Sequence, residues 1–391
     1  MDEAYHEQRL DPALAKLVPE SVEVIKVGAV PARVSRLAGV GDIALRAYPH
    51  LARGIRKILS RQDVDVVMIT GSPYYPMLLA PMVKREFGAS VVLDFQDPWV
   101  SAWGAAQPRW SKRGASHALA VRLEPVALKS ADFITSVSEQ QNVEMAARYP
   151  WLDATRMASM PIGGDPDDYA AAQTITRAGG RQSAREIINF TYVGTVWDRA
   201  AGVVRELIGA ISELQVSRPR LAERLRFNFI GTSARTDGHQ MFQVAPLAEA
   251  AGVAHLVFES PARIPYLDAL SEMASADVLL LVGSDEPHYT ASKIYPSLMS
   301  CRPFLSIFHR SSSAHEVLTR AGGGLALAFE TPDELHALVP TIAEGLERLA
   351  TRAGSCGRPD PAAYAAFTAQ SIAERFAEAF QRAMQPHRSP S

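Results

Sequence analysis

Lys293 is the residue whose type and place call most directly for chemistry. It follows Ser292 at the start of a helical stretch, past the apolar run DVLLLVG (277–283), and Pro303 opens the next apolar run. A cation in a first helical turn opposes the helix dipole, so stability alone gives no reason for it. An anionic ligand does; a merely solvated lysine is the plain alternative. Tyr295 and His288 flank it. Two further runs end in glycine plus a hydroxyl residue: Gly194-Thr195 after INFTYV and Gly231-Thr232 after RFNFI. Small residues there let N–H groups at a helix start approach a phosphate. Each alone reads equally as a tight turn; two in register favour a ligand. Arg199, in the turn after Gly194, adds charge toward a diphosphate, or is an exposed arginine on a helix start.

A second set lies in the first half, where SVVLDF (90–95) runs into QDPWVSAWGAAQPRWSKRG. Asp94 and Asp97 flank the end of that run. A carboxylate there is costly unless paired or facing a ligand, a cap being the alternative. Trp99, Trp103 and Trp110 are interleaved with Arg109, Lys112, Arg113, Arg122 and Lys129, and only Glu124 opposes them. Such a mixture suits a membrane interface or an anionic lipid-linked acceptor. The alternative is three core tryptophans and a solvated basic helix. Zinc spacing, P-loop and nucleophile elbow are all missing, and GTVWDRAAG (194–202) does not follow G-x-G-x-x-G.

These residues need elements to position them. Apolar, β-branched runs occur at 22–27 (VEVIKV), 65–70, 90–95 and 132–137, then at 188–194, 226–231, 255–259, 277–283 and 303–308. Runs apolar on both faces fit parallel strands buried between helices. Helical stretches at 51–59, 76–88, 204–214, 264–275 and about 362–384 separate or follow them. Alternating β and α predicts doubly wound sheets, whose ligands sit beyond the carboxyl ends of strands. The polar stretch 170–186 reads as a linker between two such sheets. The predicted domains are 1–175 and 185–362, followed by a helix over 363–385.

The bulk numbers agree. A chain of 391 residues, 47% hydrophobic, favours two cores over one. A net charge of -2 argues against a nucleic-acid partner. Cys301 and Cys356 offer neither a disulfide framework nor a metal site, which fits a reducing cytoplasm. The polar start MDEAYHEQRLDPALAKLVPE has no apolar core of a signal peptide, and no run reaches the ~20 residues of a span. The expected location is cytoplasmic, with peripheral contact at the inner face of the membrane.

Taken together, these stretches resemble retaining glycosyltransferase family four, GT-B proteins of bacterial surface-polysaccharide and natural-product assembly. SPYYPMLLAPMVKREFGASVVLDFQDPW is similar to the segment leading to the family's Asp-containing loop. SVSE (136–139) and MPIGGDPDDY (160–169) resemble its connection between domains, NFTYVGTV the first donor-domain strand, and ADVLLLVGSDEPHYTASKIYPSLMSCRPFL its donor-gripping block. FHRSSSAHEVLTRAGGG resembles the loop and helix that follow. The likeness runs from about residue 60 to the C-terminal helix.

The resemblance implies two Rossmann-like domains facing a cleft, with the C-terminal helix crossing back to the first. It also implies transfer from a UDP-, GDP- or dTDP-sugar to an acceptor hydroxyl, with retention, no metal and no cofactor. The acceptor class (polysaccharide, lipid-linked or small molecule) stays open. The donor would be held by Gly194, Thr195, Arg199, Gly231, Thr232, His288, Ser292, Lys293 and Tyr295, and Asp97 would be catalytic. Trp99, Trp103, Trp110 and Arg113 would line the acceptor or membrane side.

Three departures bear on this. Pro296 stands where the family has a ribose-binding glutamate, seven residues before Pro303. Arg199 alone represents the family's basic pair. The family's opening strand and Gly-rich loop have no counterpart, so DPALAKL is expected to end the first helix and VEVIKV to form the second strand. DPDD (165–168), a cluster of the kind metal-dependent sugar transferases use, sits in a Pro/Gly turn and reads as a loop. Two alternatives remain: a GT-B epimerase using His288 and Asp285, and a non-catalytic partner subunit, which Pro296 would suit.

Overall fold

A computed structural model describes residues 2–6, 10–176, 187–235, 241–285 and 292–385. The chain divides into two compact units. The first comprises 1–10, 18–162 and 372–391; the second comprises 11–17 and 163–371.

The first unit is built on a four-stranded parallel sheet in the order β1-β2-β3-β4, namely Val66–Gly71, Ser90–Phe95, Phe133–Ser136 and Met157–Ser159. β2 is sealed on both faces: Val91, Val92, Leu93 and Phe95 show no exposure, as an apolar parallel strand requires. Helices Ile43–Leu59, Ala80–Phe87 and Lys112–Leu128 contribute to one face. The other face is closed by Ala379 and Ala383 of the C-terminal helix Ala369–Met384, packed with Val92, Phe133 and Met160.

The second unit has a six-stranded parallel sheet in the order β10-β9-β8-β5-β6-β7. The strands are β5 Ile188–Val193, β6 Leu225–Ile230, β7 Val257–Ser260, β8 Val278–Val282, β9 Phe304–His309 and β10 Gly324–Phe329. Helices Ala201–Ser217 and Val339–Arg352 pack on each other over one face, around Leu207, Ile211, Ile342 and Leu346. The other face carries helices Tyr266–Ser275 and Ser313–Ala321. The strand order reverses direction beside β5, which puts the carboxyl ends of β5, β6 and β8 at a switch point, the usual ligand position in such sheets.

Four expectations change. VEVIKV forms no strand: Val22, Val24 and Ile25 lie on extended chain, 53%, 61% and 50% exposed. The segment pairs with no strand among the described residues, although β1 stands at the edge of its sheet, paired only with β2. DPALAKL belongs to the second unit; Asp11 caps the short helix Pro12–Ala15 and accepts from the Tyr266 amide. The units part at Ile162–Gly163 rather than at 175–185, because helix Pro166–Thr176 packs on helix Tyr266–Ser275. That helix also replaces the first half of the supposed linker, whose remainder, 177–186, lies outside the described residues. The DPDD stretch opens the helix instead of sitting in a turn: Asp165 caps it through the Asp167 amide, and Asp168 accepts from the Tyr266 hydroxyl.

Candidate functional site

The Gly-Thr pairs end neighbouring strands, but their four amides are not equivalent. Gly194 N–H donates to Ile230 O (2.8 Å) and Gly231 N–H to Ser260 O (2.7 Å). These two amides brace the strand ends and are not available to a ligand, which corrects the expectation for both glycines as donors. The amides of Thr195 and Thr232 have no acceptor among the described residues. The glycines serve by their lack of a side chain instead. A Cβ on Gly194 would press on the Lys293 ammonium and come within 3.3 Å of its Cε. The lysine therefore folds down across the end of β5.

That placement explains its titration. Much of the Lys293 side chain is exposed, yet its head lies on the Gly194 backbone. Burial there, and then the charge of Arg263, lower its pKa to about 8. Beneath it, Thr191, Thr195, Val282, Lys293 and Ser297 help to line a cavity of about 30 Å³, room for one water. Lys293 itself is the cap residue of helix Ile294–Met299. Ser292 precedes the cap, and its carbonyl accepts from the Tyr295 amide (3.3 Å). Tyr295 is a core residue rather than a ligand contact, 2% exposed and stacked on Phe367 at 4.2 Å. The carbonyl of Pro296 accepts from the Tyr169 hydroxyl (2.6 Å), so this position also serves packing. Arg199 is exposed in the turn Asp198–Ala200, and its carbonyl accepts from the Asp285 amide (3.3 Å). His288 lies outside the described residues.

One residue escaped the sequence reading. Glu259, at the end of β7, is 8% exposed and accepts from the Thr232 hydroxyl. It also accepts from the amides of Gln243 (2.8 Å), Val244 (2.9 Å) and Ala245 (2.7 Å). A buried carboxylate so fully bonded fixes the loop that carries the Thr232 amide. The signal was a glutamate closing the apolar run HLVFE, the same signal that marked Asp94.

In the first unit, Asp94 is 1% exposed and satisfied by Thr135 Oγ1 (2.7 Å) and Gln96 Nε2 (2.6 Å), so it holds β2 to β3. Asp97, in the loop beyond, is exposed at the surface, and the partial desolvation of its carboxyl raises its pKa. Beside it Tyr74 stacks on Trp99 (5.4 Å, 8°), and Tyr75 meets Trp99 edge-on. The tryptophans thus part company: Trp99 is half-buried, while Trp103 and Trp110 are 55% and 91% exposed. Arg113 lies over the Trp103 ring at 5.5 Å. Glu124 is not the surface counter-charge its position suggested. It is 1% exposed and accepts from the Val100 amide (3.2 Å), Arg148 (2.8 Å) and the Tyr149 hydroxyl (2.8 Å), pinning the Asp97–Val100 loop.

With this geometry in view, comparison with known proteins is decisive for the fold. Residues 5–163 match the model of the glycosyl transferase 4-like domain. HepE of Anabaena, solved with UDP and glucose, superposes with a TM-score of 0.55 at 15% identity, over 85% of this chain and 81% of its own. A UDP-forming α,α-trehalose-phosphate synthase from Burkholderia xenovorans gives 0.55 at 17%, over 87% and 80%. The N-terminal domain of Candida albicans trehalose-6-phosphate phosphatase gives 0.55 at 14%, over 97% and 80%. The chain is a GT-B protein resembling glycosyltransferase family four. No curated protein sequence matches it. The domain match over residues 5–163 supports glycosyltransferase activity and favours neither the epimerase nor the partner-subunit alternative, while the solved structures bear on the fold. No helix among the described residues is long and apolar enough to cross a membrane.

Proposed function

We propose that the protein moves a sugar from a nucleoside-diphosphate sugar to an acceptor hydroxyl, with retention and without a metal ion. The observation that carries this is the Lys293 ammonium laid on Gly194 at the end of β5, where the neighbouring strands β5 and β6 also end in the amides of Thr195 and Thr232, without an acceptor among the described residues. A cation and N–H donors converging at strand ends are what a departing diphosphate needs, and stabilising its developing charge is the largest catalytic contribution to expect. The UDP in the HepE structure is consistent with such a donor. Arg199, one turn away on the loop after β5, adds positive charge to the same end of the sheet. Asp97 serves the acceptor side; its raised pKa suits a group that exchanges a proton with a hydroxyl.

The test offers labelled UDP-, GDP- and dTDP-sugars and measures acceptor-dependent release of nucleotide, alongside calorimetry with UDP, GDP and dTDP. Binding of one nucleotide that is lost in Lys293→Ala is expected. A folded protein that binds none of the three would remove the proposal.

A further inference from the structure

Between Pro98 and Lys129 the first unit exposes five cations and no carboxylate. Arg109, Lys112, Arg113, Arg122 and Lys129 are all exposed, whereas the stretch's single acid, Glu124, is buried on Arg148, Tyr149 and the Val100 amide. The helix Lys112–Leu128 presses Ala120, Glu124 and Ala127 inward. Its outward line, at steps of three and four, reads Lys112, Ala115, Leu119, Arg122, Val126 and, just past its end, Lys129, all exposed. Cations therefore alternate with aliphatic side chains along about 25 Å of helix. At its amino end stand Trp103 and Trp110, 55% and 91% exposed.

Two exposed indole rings beside such a line form a clustered aromatic and aliphatic patch of the kind that marks an interaction surface, and burying it is favourable. Indole favours the headgroup level of a bilayer, and lysine and arginine reach up to headgroups while their stems stay in apolar surroundings. A nucleic-acid strand has no use for the Leu119–Val126 line, and a chain of net charge -2 is not generally basic. We propose that this face docks on a bilayer bearing anionic headgroups, with Trp110 inserted at the interface. The inference is independent of the donor site, because all its residues lie in the first unit.

The test mixes the full chain with vesicles of equal parts phosphatidylglycerol and phosphatidylcholine, and with vesicles of phosphatidylcholine alone. Sedimentation with the anionic vesicles, weakening as salt rises, is expected. Replacing Arg109→Gln together with Arg113→Gln lowers the partition coefficient about 25-fold, fivefold for each cation near the surface. Lipids brominated in their acyl chains quench part of the tryptophan emission, and Trp110→Phe removes that part without moving the thermal midpoint. Equal binding to neutral vesicles, no binding, no quenching, or duplex DNA bound as tightly as the vesicles would each overturn the proposal. Because quenching is read in the unaltered protein, a misfolded variant does not obstruct the answer.

Discussion

Lys293 and Gly194 work as one device, and this makes them separable from ordinary packing. With the lysine pKa near 8, donor kcat/KM is expected to hold at low pH and to fall as pH rises through about 8, where the ammonium loses its proton. Lys293→Arg moves that limb to higher pH, since guanidinium stays charged. Lys293→Ala lowers kcat by about 10²–10³, the effect of deleting one group that stabilises a leaving charge. The stability effect has the opposite sense. The folded pKa lies below the ordinary 10.5, so the folded chain holds fewer protons than the unfolded between about 8 and 10.5. This lysine's contribution to stability is then full above 10.5 and lost as pH falls through about 8. Lys293→Met is thus expected to raise the urea midpoint near neutrality, with the gain vanishing in alkali. Gly194→Ala pushes on the flexible end of the lysine and also strains a backbone at φ +155 that favours glycine, so the control is Gly194→Ala in the Lys293→Ala background. Its effect on donor KM should overlap that of Lys293→Ala in a double-mutant cycle; strict additivity would show that the two act separately.

Among the elements, legibility followed chemistry. β2, β8 and β9 announce themselves as largely apolar runs and the structure buries both faces, whereas β5 and β6 carry the half-buried Asn189, Arg226 and Asn228. β10, GLALAF, was missed because glycine and alanine dilute its pattern at a sheet edge, and β4 because three residues, MAS, carry no period. The pattern of VEVIKV predicts a strand, yet pattern alone does not decide pairing, and the segment stays off the open edge of β1. The site shows the same division. A lysine at a helix start and glycines after strands are unusual by type and position, so they were visible. Which of four amides is left over, and what holds Thr232, depends on pairings between β5, β6 and β7 that no local spacing encodes. Glu259 is the test of that hidden layer. Glu259→Ala leaves the amides of 243–245 and the Thr232 hydroxyl unpaired in a buried place. Chemical denaturation should show a loss of at least about 3 kcal/mol, since each hydrogen bond to a charged group is worth roughly 1.5–3. Glu259→Gln keeps one accepting oxygen and is expected to lose less. A variant as stable as the parent would mean the carboxylate holds nothing.

At the scale of the whole molecule, the chain leaves the first unit at Ile162, builds the second, and returns from Ile372 to close the first. The returning helix is tied in at three levels. Ala379 and Ala383, each 2% exposed, complete the core around Val92, Phe133 and Met160. Arg375 donates to Ser159 O and Arg382 to Thr155 O. The Arg382 guanidinium lies over the Phe133 ring at 4.9 Å. A 16-residue amphipathic helix is marginal by itself, so its order comes from this docking and the docked face depends on it in turn. The second unit's own residues end at Ser371. Ala379→Asp places an unpaired carboxylate in that core and is expected to cost about 3 kcal/mol or more in the first unit. Tryptophans separate the two responses: Trp99, Trp103, Trp110 and Trp151 belong to the first unit and Trp197 to the second. In urea, the emission change from the first four should move to lower denaturant, while Trp197, followed in a background with the other four replaced by phenylalanine, keeps its midpoint. If both signals shift together, the helix supports the two units as one cooperative block. If neither shifts, its packing on Val92 and Phe133 is idle.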